Sequence, residues 1–192
     1  IFTNTMCGII GFTEQNDVLA EKMLKKIEHR GPDDRGIYTD KNITFVNLRL
    51  AIIDLSPKGH QPMWTPDGNL GITYNGEVYN FRELRSALKA KGERFESESD
   101  TEVILRGFQK EGKSFFKKMR GMWALALYNR RENTITLARD PFGIKPLYYF
   151  SSPTAFAFAS EMKALNTYLK DKNIPLHFSP VGCASYFTLG YA

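Results

Sequence analysis

Two capped helical segments stand back to back in the middle of a chain that otherwise reads as short strands. NFRELRSALKAKG opens with Asn80, carries Glu83 three residues later and ends at Gly92. SESDTEVILRGF repeats the device with Ser99 and Glu102, and Ile104, Leu105 and Phe108 supply an apolar face. Both spacings predict capping boxes, in which the cap side chain and the later glutamate satisfy each other's free amide groups. Strands are expected on both sides of this block. Before it come Gly8 to Phe12, a pair at 43–46 and 48–54, and NLGITYNGE running into an Asn-Gly turn. After it come 122–128, 134–139, 147–150 and 155–159. Strands grouped around a helical block, with hairpin-length connections, predict an α+β fold with antiparallel sheets covered by helices.

The remaining helices are readable from their ends. Asp17 is expected to cap a helix running to about Arg30, with Ala20, Met23, Leu24 and Ile27 on one face and Gly31-Pro32 ending it. A short helix is expected from Glu161, and another after Ser179 with Pro180 in its first position. SPKGHQPMWTPDG reads as a long loop. A chain of 192 residues can bury one core without covalent staples.

Composition removes several function classes. The two cysteines, Cys7 and Cys183, have neither metal nor redox spacing, so no disulfide framework is expected and a reducing, cytoplasmic setting is the default. His29, His60 and His177 form no ligand pair, and no metal site is expected. The net charge of +5 is spread along amphipathic segments mixed with acids, which is the pattern of solvated helix faces, and no nucleic-acid module is recognisable. No apolar run approaches membrane-spanning length, and Ile1 to Thr5 does not read as a secretory signal.

Taken singly, the chemistry-bearing residues are ordinary. A cysteine beside glycine is usually a small buried hydrophobe, and an acid opening a helix usually answers the helix dipole. Taken together they are complementary to a free amino acid with an amide side chain. Arg49 suits its carboxylate, and Glu77 and Asp100 suit its ammonium. Asn75 and the Gly76 amide suit an oxyanion, and Cys7 suits attack on the amide carbonyl. Glutamine is the natural candidate.

MCGIIGF, EHRGPDDRG, RLAIIDLS, YNGEVYNFRELR, SDTEVIL, GMWALALY, RDPFGIKPLYY and FASEMKAL occur in that order. This set resembles the class II, N-terminal-nucleophile glutamine amidotransferase domain, in the form found in glutamine-dependent asparagine synthetases. The resemblance implies a four-layer αββα sandwich of two mainly antiparallel sheets, of Ntn-hydrolase type. It implies Cys7 as nucleophile, Asn75 and Gly76 as oxyanion hole, and Arg49, Glu77 and Asp100 as glutamine contacts. Leu50, Ile52 and Ile53 would contribute backbone, and Arg30 would lie near the nucleophile. It implies a domain over residues 7–170 and the start of a linker over 171–192. It also implies a synthetase partner, fused or separate, that uses ATP and Mg on an acceptor, aspartate being the commonest. No Ser-Gly-Gly pyrophosphate motif occurs in this sequence, so no cofactor is expected within the domain itself. The oligomeric state, homodimer included, is left open.

No histidine motif is available to activate Cys7. The family solution is the cysteine's own α-amine, whose pKa of about 7.7–8.0 lies near the thiol's roughly 8.5. An amide nitrogen cannot serve, because its lone pair is delocalised. Residues 1–6, with Met6 as the expected initiator, must then be absent from an active chain. Two other readings stand beside this one: an amidotransferase subunit for another acceptor, and a non-catalytic glutamine-binding module with a blocked nucleophile. Elsewhere, the aromatics of RDPFGIKPLYYF are expected to pack the second sheet, Asp140 and Lys145 to face a partner domain, and Cys183 to be a core or linker thiol.

Overall fold

The computed structural model describes residues 6–177 and 179–190. The expected extension Ile1 to Thr5 and the end of the expected linker, 191–192, lie outside the described residues. Two sheets stack face to face. The first has the order β2-β3-β1-β9-β8, with β1 (Gly8–Phe12) at its centre, β2 (Asp34–Thr39), β3 (Thr44–Arg49), β8 (Tyr148–Ser151) and β9 (Phe156–Ala159). The second has the order β4-β5-β6-β7, built from β4 (Met63–Trp64), β5 (Leu70–Val78), β6 (Gly121–Asn129) and β7 (Thr134–Arg139). Every neighbouring pair of these strands is antiparallel.

Side-chain alternation sorts the residues into layers. From β1, Ile10 and Phe12 face α1 (Asp17–Lys26) and α4 (Met162–Asp171), where they pack with Leu19, Met23, Leu165 and Tyr168. Ile9 points the other way, into the space between the sheets, with Phe45 and Phe158 against Ala124, Ala126 and Tyr128 of β6. The alanines leave room for the aromatic rings. Phe45 and Tyr128 meet edge to face at 6.4 Å, and Phe45 and Phe158 at 5.6 Å. The outer face of the second sheet packs α2 (Phe81–Ala90) and α3 (Asp100–Glu111) through Leu84, Leu88, Val103, Ile104 and Leu105. The order helix, sheet, sheet, helix is the four-layer α+β sandwich expected. α5 (Pro180–Leu189) begins as predicted, with Ser179 Oγ accepting from Gly182 N at 3.1 Å and Pro180 first, and it buries none of its residues.

Several local expectations are corrected. α1 is capped by Asn16, whose Oδ1 accepts from Leu19 N at 2.9 Å, and it stops at Lys26. Residues 27–30 then turn, which carries Arg30 to the start of β1, where its Nε meets Cys7 O. The strands expected at 43–46 and 48–54 are one strand, β3, buried along its whole length, and β2 beside it was not foreseen. A strand covered on both faces lacks the alternation that would set its limits. Asn75-Gly76 is not a turn: β5 runs straight through it, Asn75 opposite Ala124 and Gly76 opposite Trp123. A continuous partner strand overrides the local turn preference. Gly76 is needed there for close approach, since a Cβ would lie 2.3 Å from Met122 O.

Neither capping box closes. Asn80 makes no cap bond; its Oδ1 accepts from Arg120 N (2.9 Å) and its Nδ2 donates to Lys118 O (3.0 Å), while Glu83 pairs with Arg120. Ser99 does cap α3, accepting from Thr101 N at 3.0 Å. Glu102 instead accepts from Ser97 N at 2.7 Å and Glu96 N at 3.1 Å. In both places the glutamate found a neighbouring loop to satisfy.

Candidate active site

The start of β1, the end of β3, the Asn75–Glu77 stretch of β5 and the first turn of α3 converge on a cavity of about 160 Å³. Each site residue expected from the sequence lines it. Cys7, Arg49, Leu50, Ile52 and Ile53 come from the first sheet and its outgoing loop. Asn75, Gly76, Glu77 and Asp100 come from the opposite side.

Cys7 is seated on the backbone of Leu50. Leu50 N donates to Sγ at 3.3 Å, and Sγ lies 3.6 Å from Leu50 O. Burial pushes the thiol's pKa above its ordinary value, against the opposing pull of the Leu50 amide, Arg49 and Lys145, while Asp100 adds to the rise. A thiol so placed holds its proton near neutral pH and needs a base. His29 faces Glu161 at 2.9 Å and His60 faces Asp34 at 2.8 Å, both away from the cavity. Among the described residues no histidine lines the cavity. Arg30 does lie at Cys7: Nε donates to Cys7 O at 2.9 Å and Nη1 to Glu161 Oε1 at 2.9 Å.

Arg49 is fixed by its own loop. Its Nη2 donates to Ile53 O at 3.1 Å and to Asp54 O, where Asp54 takes the left-handed conformation with φ 56°. Gly59 packs against the guanidinium so closely that a Cβ would lie 2.2 Å from Nη2. Across the cavity, Asp100 Oδ2 accepts from Tyr74 OH at 2.9 Å and from Val78 N at 3.0 Å. Burial raises the Asp100 pKa, opposed by the Val78 and Tyr74 bonds, with the Glu77 charge raising it further. Asn75 is 1% exposed, and its Nδ2 donates to nothing among the described residues. A buried donor left free costs about 1–3 kcal/mol. Here it is turned to a cavity that also holds a thiol.

Two features escaped the sequence. A polar seam joins the sheets beneath the cavity. Asn47 Nδ2 on β3 donates to Thr73 Oγ1 (3.1 Å), Tyr74 O (3.2 Å) and Gln61 Oε1 (3.2 Å). Gln61 Oε1 also accepts from Tyr74 N at 2.8 Å, and its Nε2 donates to Thr101 Oγ1 at 3.3 Å. Gln61 sits in a segment that reads only as loop, so no sequence signal marks it. The second is Lys145. Asp140 and Lys145 do not face outward: they are 3% and 6% exposed, and Lys145 lines the cavity. The aromatics around them divide, with Phe142 88% exposed and Phe150 packed toward α4 on the far side of the first sheet. Cys183 is half-buried in α5. Among the described residues no cluster of three or more His, Cys, Asp or Glu could hold a metal ion, and no helix is long and apolar enough to cross a membrane.

Comparison with known proteins identifies the family and the fold. A family model described as a glutamine amidotransferase domain matches residues 6–192. Asparagine synthetase [glutamine-hydrolyzing] 1 of Bacillus subtilis is 41% identical over 168 residues, covering 83% of this chain and 26% of that protein. Asparagine synthetase [glutamine-hydrolyzing] 3 of the same organism is 34% identical over 193 residues, covering 96% and 31%. The chain thus spans between about a quarter and a third of the length of these relatives. Among solved structures, a glutamine phosphoribosylpyrophosphate amidotransferase from B. subtilis superposes with a TM-score of 0.69 over 84% of this chain and 43% of that one, at 20% identity, which speaks for the fold alone. Sequence family, fold and cavity agree: the chain belongs to the class II glutamine amidotransferase domains, of the kind carried by glutamine-hydrolysing asparagine synthetases.

Proposed function

We propose that this domain hydrolyses glutamine to glutamate and ammonia through a Cys7 thioester, and supplies the ammonia to an ATP-dependent synthetase. The observation that carries the reading is one cavity that, among the described residues, holds a thiol without a histidine, an unpartnered Asn75 amide, a fixed guanidinium and a buried carboxylate. Arg49 takes the α-carboxylate of glutamine through charge-assisted bonds, and Glu77 and Asp100 take its ammonium. Cys7 Sγ attacks the side-chain amide carbon while its proton passes to the Cys7 α-amine. Asn75 Nδ2 and the Gly76 amide donate to the oxyanion, where charge develops. The α-amine returns the proton to the departing ammonia, leaving the γ-glutamyl thioester. A water, deprotonated by the same amine, then cleaves the thioester, and glutamate leaves with the thiol restored.

The acceptor we assign is aspartate, in line with the names of the relatives, with ATP and Mg bound by the synthetase part rather than by this domain. A thiol nucleophile of this kind suits a reducing, cytoplasmic setting. In this chain the nitrogen of Cys7 is an amide bonded to Met6, and Met6 itself lines the cavity. Activity therefore requires Cys7 to be the first residue. Glutaminase rates of matched chains beginning at Ile1 and at Cys7 test this. The shorter form is expected to be faster by at least the 10²–10⁴-fold typical of general acid–base catalysis, roughly. Equal rates, with intact mass showing the extension in place, would overturn the mechanism.

A further inference from the structure

Lysine is seldom buried without an acid beside it. Lys145 is 6% exposed, and among the described residues no carboxylate lies within ion-pair distance of its ammonium. Its Nζ instead touches Met6 Sδ at 3.1 Å, on the wall of the cavity that holds Cys7. The loop on which it rides is tightly held. Asp140 Oδ1 accepts from Phe142 N (3.1 Å) and Ile144 N (3.0 Å), and Oδ2 accepts from Lys145 N (3.1 Å) and from Trp123 N of β6 (3.1 Å). Arg139 donates from Nε to Lys145 O at 2.6 Å and from Nη2 to Gly143 O. With amide and carbonyl of Lys145 both tied down, the side chain enters the cavity rather than solvent.

The charged groups that act on Lys145 come from every element around it: Cys7 of the nucleophile segment, Arg30 from the turn after α1, Glu77 from β5 and Asp140 from its own loop. Burial lowers its pKa, which the charges on Cys7, Glu77 and Asp140 oppose and Arg30 reinforces. On Cys7, besides Lys145, Arg49 and Asp100 act from the facing walls.

We infer that Lys145 is a positioning residue for the proton of this site: once Met6 is gone, its ammonium stabilises the Cys7 thiolate and keeps the Cys7 α-amine unprotonated. The inference rests on the glutaminase reading for its use, though not for its detection. A fixed cation favours a nearby anion and disfavours a second cation, so both groups release their protons at lower pH. Substrate binding needs no such cation, because Arg49 already faces the glutamine carboxylate.

The test uses chains beginning at Cys7 in a Cys183→Ser background, so that Cys7 is the only thiol. The rate of alkylation by iodoacetamide is followed against pH, with no glutamine present. Lys145→Met and Lys145→Gln are expected to move the acid limb upward by about one pH unit, the scale expected for one unit charge in a pocket of effective dielectric roughly 20–40. Lys145→Arg is expected to restore it. In turnover, kcat falls in the neutral variants while KM for glutamine stays within about twofold, since the ammonium acts on the nucleophile and not on ground-state binding. An unchanged alkylation limb in folded neutral variants would overturn the inference. So would an Arg variant that is folded yet as shifted as the neutral ones, or unfolding of both neutral variants, which would make Lys145 a structural support. A wild-type chain that lacks glutaminase activity would count against the proposed function instead, and the alkylation profiles would still read the role of Lys145.

Discussion

Asn75→Ala separates the two meanings of a buried, unpartnered amide. If Nδ2 waits for an oxyanion, its removal costs catalysis and spares the fold. In the resting protein the donor is buried at 1% exposure without a partner among the described residues, a burden of about 1–3 kcal/mol. Deleting it relieves that burden, while trimming the side chain gives up some packing. The two effects oppose, so net stability should change by less than about 1 kcal/mol, or roughly 2–4 °C in Tm for a chain of this length. Loss of one oxyanion donor costs about 10²–10³-fold in kcat, or roughly 2.7–4 kcal/mol of transition-state stabilisation. The ground-state carbonyl gains little from the same donor, so KM should stay within about threefold. The assay is steady-state glutaminase on the chain beginning at Cys7, paired with a thermal melt. A kcat within threefold of wild type would refute the reasoning. So would a kcat loss accompanied by a Tm drop of more than about 10 °C, which would mark Asn75 as a structural residue.

Gly59→Ala would place a Cβ 2.2 Å from Arg49 Nη2, which its two carbonyl partners hold in place. Losing the alignment of one charge-assisted clamp, worth about 1.5–3 kcal/mol, should raise KM for glutamine by roughly 10–100-fold with a smaller change in kcat; an unchanged KM counts against Arg49 as the carboxylate clamp. Asp140→Asn tests the loop that carries Lys145. Burial alone would raise the Asp140 pKa, but its four backbone donors outweigh it and hold the carboxyl below its ordinary value. The unfolded carboxyl titrates near 3.9, so the stabilisation is present above about pH 4 and is lost as pH falls through the lower folded value. The urea midpoint of Asp140→Asn should therefore lie below wild type at pH 7, by an amount equivalent to about 1–3 kcal/mol, and the gap should narrow by pH 3. A gap independent of pH would show that the charge is irrelevant.

The lining of the cavity was more legible than the architecture around it. Cys7, Arg49, Asn75, Glu77 and Asp100 carry distinctive side chains in short ordered blocks, and their joint complementarity to glutamine does not depend on knowing the strands. Their meeting in one cavity was expected from that complementarity. β2 was invisible because DRGIYT has neither alternation nor a hydrophobic run, and its place is dictated by β3. The Asn-Gly signal misled because turn preference is local, while the pairing of β5 with β6 extends over nine residues. A lysine in a loop is usually exposed, and the sequence alone leaves Lys145 facing a partner domain. Only the wrapping of its loop around Asp140, anchored to β6 through Trp123 N, turns it inward. Such tertiary anchoring leaves no periodic trace in a sequence.

The seam centred on Asn47 bears on how this protein would lose its activity. Cys7 leads directly into β1 and Arg49 ends β3 of one sheet, Asn75 and Gly76 belong to the other, and an apolar interface alone resists sliding weakly because hydrophobic burial has no direction. The bonds from Asn47 to Thr73, Tyr74 and Gln61 are directional, and they hold one lateral alignment of Cys7 and Asn75. The seam thus works as a dowel between two plates: under the proposed function, repacking that slides one sheet against the other would part Cys7 from Asn75 and blunt hydrolysis.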